Sequence, residues 1–272
     1  MAMTTTYKQN EWLSDADKEK FEEMKRTNYQ RYLVAGLANW GIATGQFFTE
    51  WNEKRHVVKP FQIPAEWNKF RAMDWGLAKP YAVLWFAVDY DGNLWFYREM
   101  YGWSGKPNVG TGETAAAIGK KIVAVEKPSE NVCGGVLDSA CFARTGVTGE
   151  SIAEAINNEL YKGKLVTFSK SSKGRVEGAN ALKQRLIGNK NSDGEFVPAI
   201  YFFSNCLHTI RTLPMLGHDK TNPETYDTDG EDHATDAVVY ACLARPFAPV
   251  KAETKKRRGR YKPKEKPLVW TL

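Results

Sequence analysis

An unbroken apolar run, PYAVLWFAV at residues 80–88, marks a strand buried on both faces. Before it, KFRAMDWG (69–76) has the length of a short strand that ends in a turn. After it, VDYDGNLWFYREM (88–100) holds an Asp-Gly turn and a further strand, so the three predict an antiparallel meander. Helical and strand-like patterns then alternate: a helix in TGETAAAIGKKIVAVEK, a strand in NVCGGVLD, a helix in ESIAEAINNELYKG, a strand in KLVTFSK and a helix in GRVEGANALKQRLIG. GEFVPAIYFFSN reads as a late hairpin before a last apolar helix, EDHATDAVVYACLA at 231–244. The order predicts a mixed α/β domain, a meander leading into parallel strands with helices on the faces of the sheet.

Three zones separate along the chain. Residues 1–60 contain a predicted helix over SDADKEKFEEMKRTNYQRYLVAGL, with Ser14 or Asp15 as N-cap and acids in its first turn. The aromatic-rich GQFFTEWNEKRHVVKPF that follows suggests packing onto a neighbouring domain. Residues 61–248 form the α/β domain, and 249–272 lack apolar periodicity, are rich in Lys, Arg and Pro, and read as disordered.

Composition changes the picture only locally. The net charge is +6, but residues 251–272 hold nine basic and two acidic side chains, which leaves 29 basic and 30 acidic groups in the other 250 residues. Attraction to phosphate is therefore expected from the tail (Lys255, Lys256, Arg257, Arg258, Arg260), from local patches or through metal ions. The four cysteines show no CxxC spacing, which argues against zinc and disulfides and for a reducing, intracellular setting. There is no signal peptide and no apolar run long enough for a membrane span.

Three carboxylates stand out because no basic residue lies beside them at the matching strand or helix spacing. Asp74 ends the first strand on the face of Phe70 and Ala72, with Arg71 pointing to the other face. Asp138 ends GGVLD, and Asp236 lies on the apolar face of the last helix with Val239, Tyr240 and Leu243. Each has a structural alternative: a strand-end Asp is commonly a turn former, and Asp232 near a helix start is commonly a cap. An unpaired Asp in mid-helix on an apolar face costs several kcal/mol in desolvation unless compensated. Together the three fit hard divalent ions, Mg²⁺ especially, which takes one or two carboxylates and completes its shell with water and phosphate oxygens. Two such ions roughly 3.5–4 Å apart would clamp the attacking and leaving oxygens of a phosphodiester.

These stretches resemble a known family. FRAMDWGLAKPYAVLWFAVDYDGNLWFYREMY, GGVLDSACF and EDHATDAVVY are similar to the C-terminal nuclease domain of phage terminase large subunits, and YLVAGLANWGIATGQFFTEWNEKRHVV to the segment joining that family's ATPase and nuclease. The resemblance spans about residues 30–245. It implies an RNase H-like fold and an endonuclease that uses two divalent ions, Mg²⁺ or Mn²⁺, to cut concatemeric double-stranded DNA during viral packaging. It also implies a host-cytoplasmic setting and, as partners, the terminase ATPase domain, the small terminase subunit and the portal. Asp74, Asp138 and Asp236 match the family's metal-binding acids, and His233 a histidine three residues before the last of them. The neighbouring Glu231 and Asp232 leave Asp232 as an alternative ligand.

The chain contains no G-x-x-x-x-G-K-[ST], so it is expected to lack the P-loop ATPase and to represent a nuclease domain or a shortened subunit. His233 is a candidate for orienting water or protonating the leaving oxygen, against a plain backbone-bonded surface histidine. Lys173 and Arg175, before a helix start, are candidates for holding a phosphate, against a solvated loop. Other readings are a resolvase- or transposase-type phosphotransferase, for which no DNA-reading module is visible, and a non-catalytic docking module for a portal or motor.

Overall fold

The computed structural model describes residues 6–27, 32–37, 45–144, 149–172 and 174–249. Lys173 and the basic tail, with Lys255, Lys256, Arg257, Arg258 and Arg260, lie outside the described residues. The strands are β1 (Val57–Val58), β2 (Asn68–Asp74), β3 (Ala82–Val88), β4 (Leu94–Tyr101), β5 (Val132–Leu137), β6 (Phe168–Lys170), β7 (Asn189–Lys190), β8 (Phe196–Val197) and β9 (Ile200–Phe203). The helices are α1 (Asp15–Thr27), α2 (Glu53–His56), α3 (Ala115–Val125), α4 (Ile152–Lys162), α5 (Arg175–Ile187), α6 (Leu207–Thr212) and α7 (His233–Leu243).

Seven strands form one mixed sheet in the order β1-β9-β4-β3-β2-β5-β6. β2, β3 and β4 are the predicted antiparallel meander. β5 and β6 then add in parallel beside β2, on the opposite side from β3. All seven residues of β3 are buried, as its unbroken apolar run requires.

Each face of the sheet carries its own core. One joins β2–β4 to α5, α7 and the segment holding Phe47, Phe48 and Trp51; the other joins β2, β3, β5 and β6 to α3 and α4. The aromatic segment ahead of β1 thus fills the core itself, where the sequence suggested packing onto a neighbouring domain. Alternation along β2 sends Phe70 and Ala72 toward α7 and Arg71 to the other side. There Arg71, fully buried, pairs with Glu126 at 2.5 Å, and Trp85 Nε1 donates to the same carboxylate.

Of the predicted N-terminal helix, Asp15–Thr27 form α1, with Ser14 Oγ accepting from Asp17 N at its start, and Tyr32–Gly36 form a π-turn; residues 28–31 lie outside the described residues. One further expectation changes. The late hairpin does not form within its own segment. Pro198 interrupts it, so β8 pairs back onto β7 while β9 joins the main sheet parallel to β4 and β1.

Candidate active site

The parallel pairing of β2 and β5 sets Met73 opposite Leu137, so the residues after them leave the sheet side by side. Those residues are Asp74, the last of β2, and Asp138, whose backbone N donates to Met73 O at 3.3 Å. Helix α7 packs across β2 and β3, and its first turn brings Asp236 to the same edge. Asp74, Asp138 and Asp236 line one cleft of about 330 Å³, together with Ser139, Ser171 and Arg175. Three acids far apart in sequence therefore face a common space.

Each acid has a distinct environment. Asp74 is only 7% exposed; its Oδ2 lies 3.1 Å from His233 Nδ1 and its Oδ1 3.5 Å from Tyr240 Oη. Burial, and then the charges of Asp236 and Asp138, push its carboxyl well above the usual range. Asp236 is raised by burial, against the Tyr226 hydroxyl, which donates to its Oδ1, and against Arg175. Asp138 is half-buried and accepts from Ala140 N at 3.1 Å, so it forms the turn that its strand-end position suggested while also lining the cleft.

Two sequence expectations need correction. Asp236 does have a cationic neighbour: Arg175, at the start of α5, places Nη2 3.6 Å from Asp236 Oδ2 and 3.3 Å from Asp232 Oδ2. No local spacing reveals it, because the two helices meet only in the tertiary fold. Asp236 also sits in the first turn of α7, not mid-helix, where the positive end of the helix dipole favours a carboxylate. Asp232 is the residue before that helix; it makes no capping bond and is not among the residues lining the cleft. Burial and then Asp236 push its carboxyl up to about 7. Arg175 thus meets carboxylates, and Lys173 lies outside the described residues.

Tyr226, Tyr240 and Asn108 also belong to the site. Tyr240 follows Asp236 by four residues, so helical spacing signals it. Tyr226 and Asn108 come from loops and carry no such signal.

A divalent ion makes specific demands on this donor set. Among the described residues, no three Asp, Glu, His or Cys side chains stand close enough to enclose a metal by themselves. An all-protein cage is therefore not preformed. The set does suit an ion that takes one or two carboxylates and fills its shell with water and phosphate oxygens. Asp74 is buried and repelled by two further acids, so an added cation would relieve a charge that Arg175 offsets only weakly.

Comparison with known proteins adds an independent line. Residues 1–37 match the family described as phage terminase large subunit. No curated protein matches the sequence significantly. By structure, the chain is similar to the nuclease domain of the P22 large terminase, with a TM-score of 0.55, 14% identity, and coverage of 76% of this chain and 95% of that one. This is the fold of the large-terminase nuclease domain. The resemblance read from the sequence is borne out in the fold, the mixed α/β, RNase H-like architecture that it implies. The chain is also similar to the large terminase of a thermophilic bacteriophage, with a TM-score of 0.54 and 20% identity over 88% of its length. It spans about half of that terminase, 53%. Among the described residues, no helix is long and apolar enough to cross a membrane.

Proposed function

We propose that the chain is a divalent-metal-dependent endonuclease acting on double-stranded DNA, the nuclease part of a viral DNA-packaging terminase. One observation carries this reading: Asp74, Asp138 and Asp236 line a single cleft and repel one another there, on a terminase-nuclease fold. Asp74, Asp138 and Asp236 would hold Mg²⁺ or Mn²⁺, whose chemistry is to activate water and to neutralise charge developing on a phosphodiester. His233 and Tyr240 hold the Asp74 carboxylate in place, and Tyr226 does the same for Asp236. Arg175 keeps a positive charge at the cleft mouth, where a DNA phosphate would arrive. Asp232 steadies Arg175 and contributes less to the metal than Asp236.

The same reading gives the chain a host-cytoplasmic setting. The terminase ATPase domain, the small subunit and the portal are its partners, and residues 249–272 serve as a separate basic arm beyond the nuclease domain of 61–248. Incubation of the protein with supercoiled plasmid tests the activity. Nicked and linear DNA should form with Mn²⁺ or Mg²⁺ and not with chelator. DNA that stays supercoiled at protein concentrations where it is bound would overturn the proposal in favour of a docking module.

A further inference from the structure

Asn108 lies in the loop after β4, on none of the elements that carry the acids, yet it reaches the site. Its Oδ1 is 3.0 Å from His233 Nε2, and its Nδ2 donates to the carbonyls of Gly230 at 3.0 Å and Asp229 at 3.2 Å. Those two carbonyls accept only, so they fix the amide with its nitrogen toward the 229–230 turn and its oxygen toward the imidazole. An oxygen facing Nε2 accepts, so Nε2 must carry a hydrogen. The ring then presents Nδ1 to Asp74 Oδ2 at 3.1 Å, and a single proton shared between those two atoms satisfies both.

The loop is built to hold this residue still. Asn108 has a left-handed backbone, φ 57°, which Asn tolerates better than most side chains. Gly110 N donates to Ala78 O at 2.8 Å and Gly112 N to Leu77 O at 3.1 Å, pinning the loop to the turn after Asp74. A Cβ on Gly110 would fall 2.2 Å from Lys79 O, so only glycine permits that approach. Both ends of the hydrogen-bonded chain are therefore anchored to the same edge of the sheet.

We propose that Asn108 is a positioning residue: its Oδ1 locks His233 with a hydrogen on Nε2, so that the ring keeps Nδ1 turned to the Asp74 carboxyl group and to the hydrogen shared with it. The importance of Asp74 rests on the nuclease reading above, but the lock itself does not, and it is measured without any cleavage.

The test is nitrogen NMR of protein carrying ¹⁵N-histidine, assigned with a His233→Gln sample, without metal and with Mg²⁺. In the wild type, His233 should show Nε2 protonated and one fixed tautomer. Asn108→Gly suits the left-handed backbone but removes the acceptor, and it should show averaged tautomers. In the plasmid assay, Asn108→Gly should lose at least about tenfold in rate with DNA affinity unchanged, a loss typical of residues that orient a metal ligand. A wild-type His233 protonated on Nδ1 alone would overturn the proposal without reference to any variant. So would an Asn108→Gly spectrum identical to that of wild type. A plasmid left uncut by wild type, with the tautomer still fixed, would instead count against the nuclease reading.

Discussion

Arg175 and Asp236 face each other across the cleft, Nη2 to Oδ2 at 3.6 Å, from the first turns of two different helices. The pair explains how α7 tolerates a largely buried carboxylate in metal-free protein. It also makes Arg175 and a bound cation alternative sources of positive charge for the same acid.

Arg175→Gln should therefore lower metal-free stability by up to about 1 kcal/mol, a modest loss because the Arg175 side chain is 45% exposed. Its melting temperature should then rise more with Mn²⁺ than that of wild type, since a ligand selective for the folded state relieves a larger unbalanced charge. Thermal melts of both proteins, with chelator and with Mn²⁺, measure this. Equal shifts would mean that Arg175 and the ion act on separate groups.

Helix α5 reaches α7 through Gly178, where an added Cβ would meet Val239 Cγ1 at 2.3 Å and Leu243 Cδ1 at 3.1 Å. Gly178→Ala should destabilise by about 1–3 kcal/mol from overpacking, outweighing the helix propensity gained. By displacing α7 it should also slow cleavage. Urea melts showing a more stable variant would mean that the two helices part at no cost.

His56 sets an acid limit on stability that is independent of the active site. It is fully buried; its Nε2 is 2.9 Å from Leu186 O, and its Nδ1 is 2.9 Å from Asn52 N and O. Burial pulls its pKa down to about 4 from 6.5. The unfolded chain then binds the extra proton between those values, so this contribution is complete above pH 6.5 and is lost as pH falls toward 4. Between pH 7 and pH 5 the loss is about 2 kcal/mol. His56→Gln should be less stable at pH 7 but should lose about that much less on acidification. Asp232 and Asp74 titrate in both proteins and cancel in the comparison. Parallel pH profiles of the two proteins would show that His56 is already charged when folded.

Much of this molecule is legible in the sequence, for identifiable reasons. The buried run of β3 and the alternation along β2 are one-dimensional patterns, so they foretold the meander and the opposite orientations of Asp74 and Arg71. The meeting of Asp74 and Asp138 followed from topology, since parallel neighbours end together. Local spacing could not supply the long-range pairs. Arg175 approaches Asp236 only because α5 packs on α7, and Asn108 approaches His233 only because its loop is pinned to the turn after β2. The late hairpin failed because Pro198 offers no backbone donor, which frees β9 for the main sheet.

Deleting residues 251–272 removes nine basic side chains and two acidic ones. If the tail binds phosphates, DNA affinity should fall, and its log–log salt slope should flatten by about 0.9 for each phosphate that the tail neutralises. Cleavage at saturating DNA should change little. An unchanged salt slope in titrations from low to moderate salt would assign the tail to a protein partner.

Nicking of supercoiled plasmid with Mn²⁺ by single variants tests most directly whether the three acids act as one metal-binding unit. Asp74→Ala, Asp138→Ala and Asp236→Ala, each confirmed to be folded, should all be inactive, with losses that do not add when the substitutions are combined. Asp232→Ala should keep most of the activity. Any of the three variants cutting within about tenfold of wild type, or an inactive Asp232→Ala beside an active Asp236→Ala, would contradict the assignment.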